Sequence, residues 1–227
     1  MPRRKLIQFA ENKLFPHLIE PKLEEILENQ FYLKGKWKQN FFEDDKPLVI
    51  ELGCGKGEYC VGLSKIFPEK NFLGMDIKGH RLWRGAKDVE EQGLENVGFV
   101  RSKVDYIEKL FGENEVDELW LTFSDPQPKR PSKRLSSQNF LDRYAKFLKP
   151  NAIIHLKTDN RLLFNSTLEV IRDNNHQLIY HNFDIYDTWD NIPDDIKPNL
   201  ELKTYFEEKF MQKNYRINYL QFSLNGK

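Results

Sequence analysis

Short apolar runs alternate with amphipathic stretches along most of the chain. The apolar runs, rich in Val, Ile, Leu and Phe, predict seven strands, near 47–52, 71–76, 97–101, 117–123, 152–157, 177–183 and 215–223. Helical patterns fill the gaps, at about 57–67, 79–92, 105–111, 136–148, 160–173 and 202–212. Near-continuous apolar strands separated by amphipathic helices indicate a parallel sheet that is covered on both faces. The pattern therefore predicts a doubly wound α/β fold with a mostly parallel, seven-stranded sheet.

The first 46 residues do not share this alternation. They predict a helical, basic appendage (1–46) in front of one main domain (47–227), and the length of 227 residues suits such an arrangement. The chain has no apolar stretch of the roughly 18–20 residues that cross a bilayer. The basic N-terminus also lacks the apolar segment of a secretory signal, so a cytoplasmic protein is expected.

Composition narrows the partners only slightly. The 35 basic and 35 acidic residues cancel, which disfavours a protein that coats nucleic acid nonspecifically. The two cysteines and five histidines show no spacing typical of disulfides or metal sites, and no metal is expected. The cations are nevertheless clustered in three runs, which are Arg3–Lys5, then Lys78, Arg81, Arg84 and Lys87, then Lys129, Arg130, Lys133 and Arg134.

A glycine-rich stretch, ELGCGKGEY at 51–59, follows the first long strand and opens the next helix. Glycine is needed where a turn takes positive φ or a ligand touches the backbone, which suits Gly53, Gly55 and Gly57. The dinucleotide fingerprint GxGxxG would need a glycine where Glu58 stands, and a carboxylate there would repel a pyrophosphate. A P-loop is excluded because no Gly-Lys-Ser/Thr follows. The loop therefore favours a cofactor with no phosphate beside it.

Two acidic residues accompany this loop. Glu51 ends the first of these strands, and Asp76 ends the second, where an acid can accept hydrogen bonds from both hydroxyls of a ribose. Together the strand, GxGxG loop, helix and two acids resemble the S-adenosylmethionine (SAM) site of class I methyltransferases, whose fold is Rossmann-like. SAM carries a sulfonium, an ammonium and a ribose, which suit two acids. The resemblance implies that SAM is the cofactor and that it is bound by Glu51, Gly53, Gly55, Gly57 and Asp76.

A second candidate loop, TFSDPQPKRPSKR at 122–134, follows the fourth of these strands. Asp125 lies at the carboxyl end of that strand, on the same rim as the glycine loop if the sheet is doubly wound. Pro126, Pro128 and Pro131 stiffen the loop because each fixes φ. A stiff loop with one carboxylate followed by four cations can hold a base while it grips phosphates.

Five motifs make the resemblance more specific: ELGCGKG (51–57), FLGMDIK (72–78), FSDPQPKR (123–130), KTDN (157–160) and TYFEEKF (204–210). Over about residues 47–223 the chain resembles bacterial tRNA (guanine-N7)-methyltransferases, which methylate guanosine 46 in the variable loop. The resemblance implies tRNA as the partner and Asp125 as the catalytic acid. It also implies a set of residues that contact the target nucleotide, namely Lys129, Asp159, Thr204, Phe206 and Glu207.

The chain departs from the family pattern in three places. The family usually has Pro-Asp-Pro-Trp where this chain has Ser124–Gln127, so Gln127 replaces the tryptophan. Lys103 stands where an acid usually touches the adenine, and either Asp105 substitutes for that acid or the backbone alone holds the adenine. Phe206 stands where the family often has tyrosine, which keeps the ring.

The implied chemistry needs no general base. Guanine N7 has a free lone pair and no proton to lose, so the enzyme contributes orientation and electrostatic stabilisation to an in-line displacement. Asp125 would stabilise the positive charge that develops on the base, and Asp125 or Asp159 would accept hydrogen bonds from the guanine edge. The clustered cations, except Lys87, are the candidates to contact the RNA phosphates. A class I methyltransferase that acts on another RNA atom and a noncatalytic RNA-binding subunit remain alternatives, as do a monomer and a homodimer.

Overall fold

The computed structural model describes residues 3–225, with side chains from residue 5 onward. Arg3 and Arg4, two of the predicted cationic contacts, therefore have side chains outside the described residues. Within this range the strands are β1 (Leu18–Ile19), β2 (Leu48–Leu52), β3 (Asn71–Asp76), β4 (Val97–Arg101), β5 (Val116–Thr122), β6 (Leu148–Thr158), β7 (Gln177–Asn182) and β8 (Asn218–Ser223). The α-helices are α1 (Arg3–Asn12), α2 (Leu23–Leu27), α3 (Glu58–Ile66), α4 (Gly79–Gln92), α5 (Ile107–Leu110), α6 (Gln138–Tyr144), α7 (Arg161–Asp173), α8 (Lys197–Leu200) and α9 (Tyr205–Gln212).

The strands form one sheet in the order β1-β4-β3-β2-β5-β6-β8-β7. Pairs from β1 to β6 are parallel, and β8 pairs antiparallel with both β6 and β7. The chain starts the sheet proper at β2, builds outward to β4, and then returns to β5 on the other side of β2. This reversal is the topological switch point, where ligands bind beyond the carboxyl ends of the strands.

Each face of the sheet has its own apolar core because neighbouring strand residues point to opposite faces. Ile50 and Leu119 belong to the core on one face, which also contains Trp37. Val49 and Trp120, one position away on the same strands, belong to the core on the other face. The central strands are thus buried on both sides, which explains their near-continuous apolar sequence.

The doubly wound, mostly parallel architecture is confirmed, and the strand count needs a correction. All seven predicted strands are present, but an eighth, Leu18–Ile19, pairs with Phe99 and Val100 of β4 at the sheet edge. Two residues are too few to give a recognisable strand pattern. The predicted helix at 136–148 ends at Tyr144, and β6 begins at Leu148, four residues before its predicted start.

The first 46 residues are fastened to the sheet rather than merely preceding it. Helix α1 packs on α4, where the Asn12 side chain donates to the carbonyl of Gly79 at 3.0 Å. Trp37 is completely buried, and its indole N–H donates to the carbonyl of Leu110 at 2.9 Å. The division of the chain at residue 46 stays a prediction. None of the helices in residues 3–225 has the length and apolar character that a bilayer crossing requires.

Candidate active site

The glycine loop between β2 and α3 has an open side and a packed side. Gly53, Gly55 and Gly57 all take positive φ, of 74°, 61° and 73°. A methyl group on Gly57 would lie 2.4 Å from a ring carbon of Phe99, whereas one on Gly53 or Gly55 would meet no atom within 4 Å. Packing therefore requires the last glycine, and the first two leave backbone exposed to a ligand.

Glu51 is buried at the end of β2, with 5% of its surface exposed. Its Oε2 accepts hydrogen bonds from the backbone N–H of Cys60 at 3.2 Å and from the Cys60 thiol at 3.1 Å. Burial raises the pKa of Glu51 to about 7, because removal from water disfavours the charged carboxylate. The buried hydroxyl of Thr122 lies beside Glu51 and offsets part of this increase in pKa.

Asp76 ties the end of β3 to the glycine loop. Its Oδ2 accepts from the backbone N–H of Gly55 at 3.0 Å, and its Oδ1 accepts from that of Lys78 at 2.7 Å. A carboxylate offers about four lone-pair sites, so each oxygen can accept a further hydrogen bond. The acid that was predicted to bind a ribose thus also fixes the loop beside it.

Two adjoining cavities open at this rim. The smaller, about 200 Å³, is lined by Glu51, Gly55, Thr204 and Phe206 among others. The larger, about 740 Å³, is lined by Asp76, Lys103, Asp105, Asp125 and Gln127 among others. Both include the same three residues in their walls, Gly53, Arg81 and Phe123. The structure therefore brings most of the predicted cofactor residues and the predicted catalytic acid to one continuous cleft.

The residues of this cleft fit SAM. Glu51, Asp76 and the Thr122 hydroxyl offer acceptors for an ammonium group and for ribose hydroxyls. Glu58 lines the smaller cavity, and its Oε2 accepts from the backbone N–H of Tyr205 at 2.9 Å. Asp105 lines the larger cavity with Lys103, and its carboxylate lies 3.6 Å from the Lys133 ammonium. Residues 3–225 contain no group of three or more His, Cys, Asp or Glu side chains that could hold a metal ion.

In the loop after β5, the Asp125 carboxylate is held by hydrogen bonds from a residue of the same loop. Asp125 is exposed, and Gln127 donates to both of its oxygens, from the backbone N–H at 3.0 Å and from the side-chain amide at 2.9 Å. Arg134 is buried and donates from Nε to the carbonyl of Pro126 at 2.9 Å. Phe123 and Gln127 take positive φ, of 48° and 42°, which is uncommon for residues other than glycine. The loop is therefore stiffened by hydrogen bonds as well as by its prolines.

The predicted nucleotide-binding residues are not all in the cleft. Thr204 and Phe206 line the smaller cavity, and Phe206 is half exposed. Lys129 is exposed on the Asp125 loop, and Asp159 is half-buried just after β6, but neither lines either of these two cavities. Partial burial raises the pKa of Asp159. Glu207 is completely buried, so its carboxylate does not face the cleft.

An ion pair that sequence reasoning missed accounts for the position of Glu207. Its Oε1 lies 2.7 Å from the Nζ of Lys157, and both side chains are fully buried. Tyr186 donates its hydroxyl to the same oxygen at 2.6 Å, and Glu207 also completes a capping box with Thr204 at the start of α9. Burial lowers the pKa of Lys157, and Glu207 opposes this effect. The T-x-x-E spacing signals the cap in the sequence, but nothing local signals Lys157 as the partner.

The cationic runs divide into engaged and free residues. Arg84 pairs with Asp88 and Glu91 on its own helix, and Arg134 is buried against Pro126. These two predicted phosphate contacts are therefore structural in this conformation. Within the described residues, four cations line the larger cavity and make no ion pair, namely Lys78, Arg81, Lys103 and Arg130. Lys129, exposed on the Asp125 loop, makes none either.

Comparison with known proteins defines the class. A family model described as "Putative methyltransferase" matches residues 45–220. The 16S rRNA methyltransferase KamB superposes with a TM-score of 0.59 at 14% identity, over 79% of this chain and 88% of that one. A SAM-dependent methyltransferase from Aquifex aeolicus gives a TM-score of 0.54 at 15% identity, over 89% of each chain. The fold is thus that of the class I SAM-dependent methyltransferases.

Sequence relatives define the family within that class. A tRNA (guanine-N(7)-)-methyltransferase of Bacteroides thetaiotaomicron is 45% identical over 224 residues, which cover 99% of this chain and 87% of the relative. The protein of the same name from Christiangramia forsetii is 44% identical and covers 98% of each chain. The chain belongs to the tRNA (guanine-N7)-methyltransferase family, as its motifs predicted.

Proposed function

We propose that this protein transfers the methyl group of SAM to N7 of guanosine 46 in the variable loop of tRNA. The observation that carries the proposal is the shared cleft, in which the catalytic candidate Asp125 and the cofactor candidate Asp76 line one cavity. Near-full-length similarity to proteins named tRNA (guanine-N(7)-)-methyltransferases supports the substrate.

The cofactor is held by the rim of the glycine loop. In this proposal Glu51 and the open backbone at Gly53 and Gly55 bind one part of SAM, Asp76 accepts from its ribose, and Asp105 lies near its adenine. Gly57 acts indirectly, because it allows the loop to pack on Phe99. When bound, SAM supplies an electrophilic methyl group on a sulfonium.

Asp125 stabilises the charge that develops on the base. N7 attacks with its own lone pair, so no residue has to remove a proton, and the base becomes positively charged as the methyl arrives. A carboxylate fixed beside the base favours that charge electrostatically. Both oxygens of Asp125 keep a lone pair beyond the hydrogen bonds from Gln127, and these are available to the N–H groups of the guanine edge.

The remaining predicted residues grip the target nucleotide. N7 of this guanosine takes part in tertiary pairing, so the base has to leave its stack at a cost of a few kcal/mol. Phe206, half exposed at the cavity, can stack on the extruded base, while Lys129 contacts phosphate and Asp159 the base edge. Thr204 and Glu207 shape this wall by capping α9. We propose that the protein acts in the cytoplasm, as a monomer or homodimer, without a metal ion.

A single assay tests atom, site and reaction together. Purified protein is incubated with an unmodified tRNA transcript and methyl-labelled SAM, and the RNA is then cleaved with borohydride and aniline, which cut at N7-methylguanosine. One cut in the variable loop is expected, and none in a transcript that carries 7-deazaguanosine at position 46. Label without a cut would mean that another RNA atom is methylated, and no label would favour a noncatalytic RNA-binding protein.

A matched variant tests the role of Asp125. Asp125→Asn keeps the shape of the side chain and removes its charge. We expect kcat to fall about 100-fold, as for loss of one electrostatic stabiliser, with tRNA affinity within a few fold of wild type. Lost tRNA affinity with unchanged kcat would contradict the electrostatic role.

A further inference from the structure

We infer that Gln127 is a positioning residue for Asp125, and that it supplies in this chain a contact that a tryptophan at the same place could not make in the same way. This inference rests on the proposed function. The tryptophan side chain has one N–H donor, whereas an amide has two donors and an acceptor. The side-chain amide of Gln127 donates to Oδ2 of Asp125 at 2.9 Å, and its backbone N–H donates to Oδ1.

The backbone around Gln127 is arranged so that this contact is made. Gln127 takes a left-handed φ of 42° between two prolines, which turns its N–H and its side chain back toward Asp125. The carbonyl of Gln127 accepts from the N–H of Arg130 at 3.0 Å, and the carbonyl of Pro126 accepts from buried Arg134. The turn is therefore fixed from both sides, independently of the Gln127 side chain.

The location of Gln127 gives the contact a functional consequence. Gln127 and Asp125 both line the larger cavity, which also includes Asp76. Asp125 is exposed, and no other side chain among the described residues donates a hydrogen bond to it. Without the side-chain amide of Gln127, the Asp125 carboxylate would keep only the hydrogen bond from the backbone N–H. It would then rotate more freely about χ1 and χ2. Catalysis by a fixed charge depends on its position, and a misplacement of about 1 Å can cost about 100-fold in rate.

Two substitutions separate the side-chain contact from the backbone turn. Gln127→Asn tolerates the left-handed φ but is one methylene shorter. Gln127→Glu keeps the length and replaces the donor with a second carboxylate. For both we expect kcat to fall about 10- to 100-fold with the KM values for SAM and tRNA within about twofold of wild type. Gln138 provides the control, since its side-chain amide donates to Asp142 at 2.7 Å away from the cleft, and Gln138→Asn should leave kcat unchanged.

A second readout does not depend on methyl transfer. Three-bond NMR couplings of the Asp125 side chain should report one χ1 rotamer in wild type and averaging over rotamers in Gln127→Asn, because the shorter amide no longer reaches Oδ2. If Gln127→Asn keeps wild-type kcat, or if its Asp125 couplings equal those of wild type, the inference is wrong. The couplings test the contact even if the wild-type protein fails to methylate tRNA, which would refute only the proposed function.

Discussion

Ionisation of Glu51 makes the stability of the free protein depend on pH in an unusual direction. Burial raises the pKa of Glu51 to about 7, from an ordinary value of 4.5. Between these values the folded state binds a proton that the unfolded state releases, so stability is greatest below pH 4.5 and falls as the pH rises through 7. One pKa unit corresponds to about 1.4 kcal/mol, and the full shift therefore costs about 3 kcal/mol.

Substitution of Glu51 by Gln should remove this dependence. The amide has the same shape and does not titrate, so the stability of Glu51→Gln relative to wild type should rise by about 2–3 kcal/mol between pH 5 and pH 8. Urea unfolding of both proteins at several pH values measures this difference in stability. The control is Asp117→Asn on β5. Burial opposes ionisation of Asp117 as well, but Lys149 and Lys38 keep its pKa below the ordinary value, so its charge is constant over this range.

The ionisation of Glu51 should also make the affinity for the cofactor depend on pH. A cationic ligand in the cavity that Glu51 lines favours the charged carboxylate. We therefore expect SAM affinity to rise between pH 6 and pH 8, with proton release that calorimetry in buffers of different ionisation enthalpy detects, and neither effect in Glu51→Gln. A stability difference between wild type and Glu51→Gln that stays constant with pH would refute the reasoning.

Two further predictions concern charged residues. Lys157→Met leaves Glu207 buried without its partner, which should cost about 3–5 kcal/mol and lower the unfolding midpoint by about 6–20 °C for a chain of this size, measured by calorimetry; a loss below about 1 kcal/mol would contradict it. Arg81→Ala should weaken tRNA binding and reduce its logarithmic salt dependence by about one, whereas Arg84→Ala, whose guanidinium is already paired, should stay within about twofold of wild type in a filter-binding salt series. Equal losses from the two arginine variants would show that ion pairing on the helix does not decide which cation meets the RNA.

The central sheet was predictable because the local pattern of apolar and polar residues determines its strands and helices. Strands such as β2 and β3 are buried along their whole length, and helices of amphipathic pattern separate them. The errors lie where tertiary contacts override local preference. Residues 148–151 contain Lys149 and Pro150 and suggest a turn, yet Leu148 pairs with Val116 across an irregular register. This segment is therefore a strand because it pairs with β5, although its own sequence has no strand pattern.

The site was predictable in its positions and less so in its contacts. Acids at the ends of strands and glycines in a strand–helix turn follow from general rules for parallel sheets. Their partners do not: Asp76 accepts from Gly55 twenty-one residues away, and Lys157 pairs with Glu207 fifty residues away. Such contacts depend on how helices dock on the sheet, which no local spacing encodes. Glu207 was placed in the right region from its motif, although its carboxylate points into the protein.

Helix α9 shows what these unpredicted contacts achieve. Thr204 and Phe206 at its start line the smaller cavity, so the position of the helix determines the shape of that cavity. Glu58 holds the backbone of its first residue from the glycine loop, and Glu207 holds its first turn to β6 through Lys157. The Glu58 hydrogen bond is exposed, whereas the Lys157–Glu207 pair is fully buried, and breaking such a buried pair costs about 3–5 kcal/mol. The wall of the smaller cavity is therefore held both by the glycine loop and by β6, the strand that ends just before Asp159.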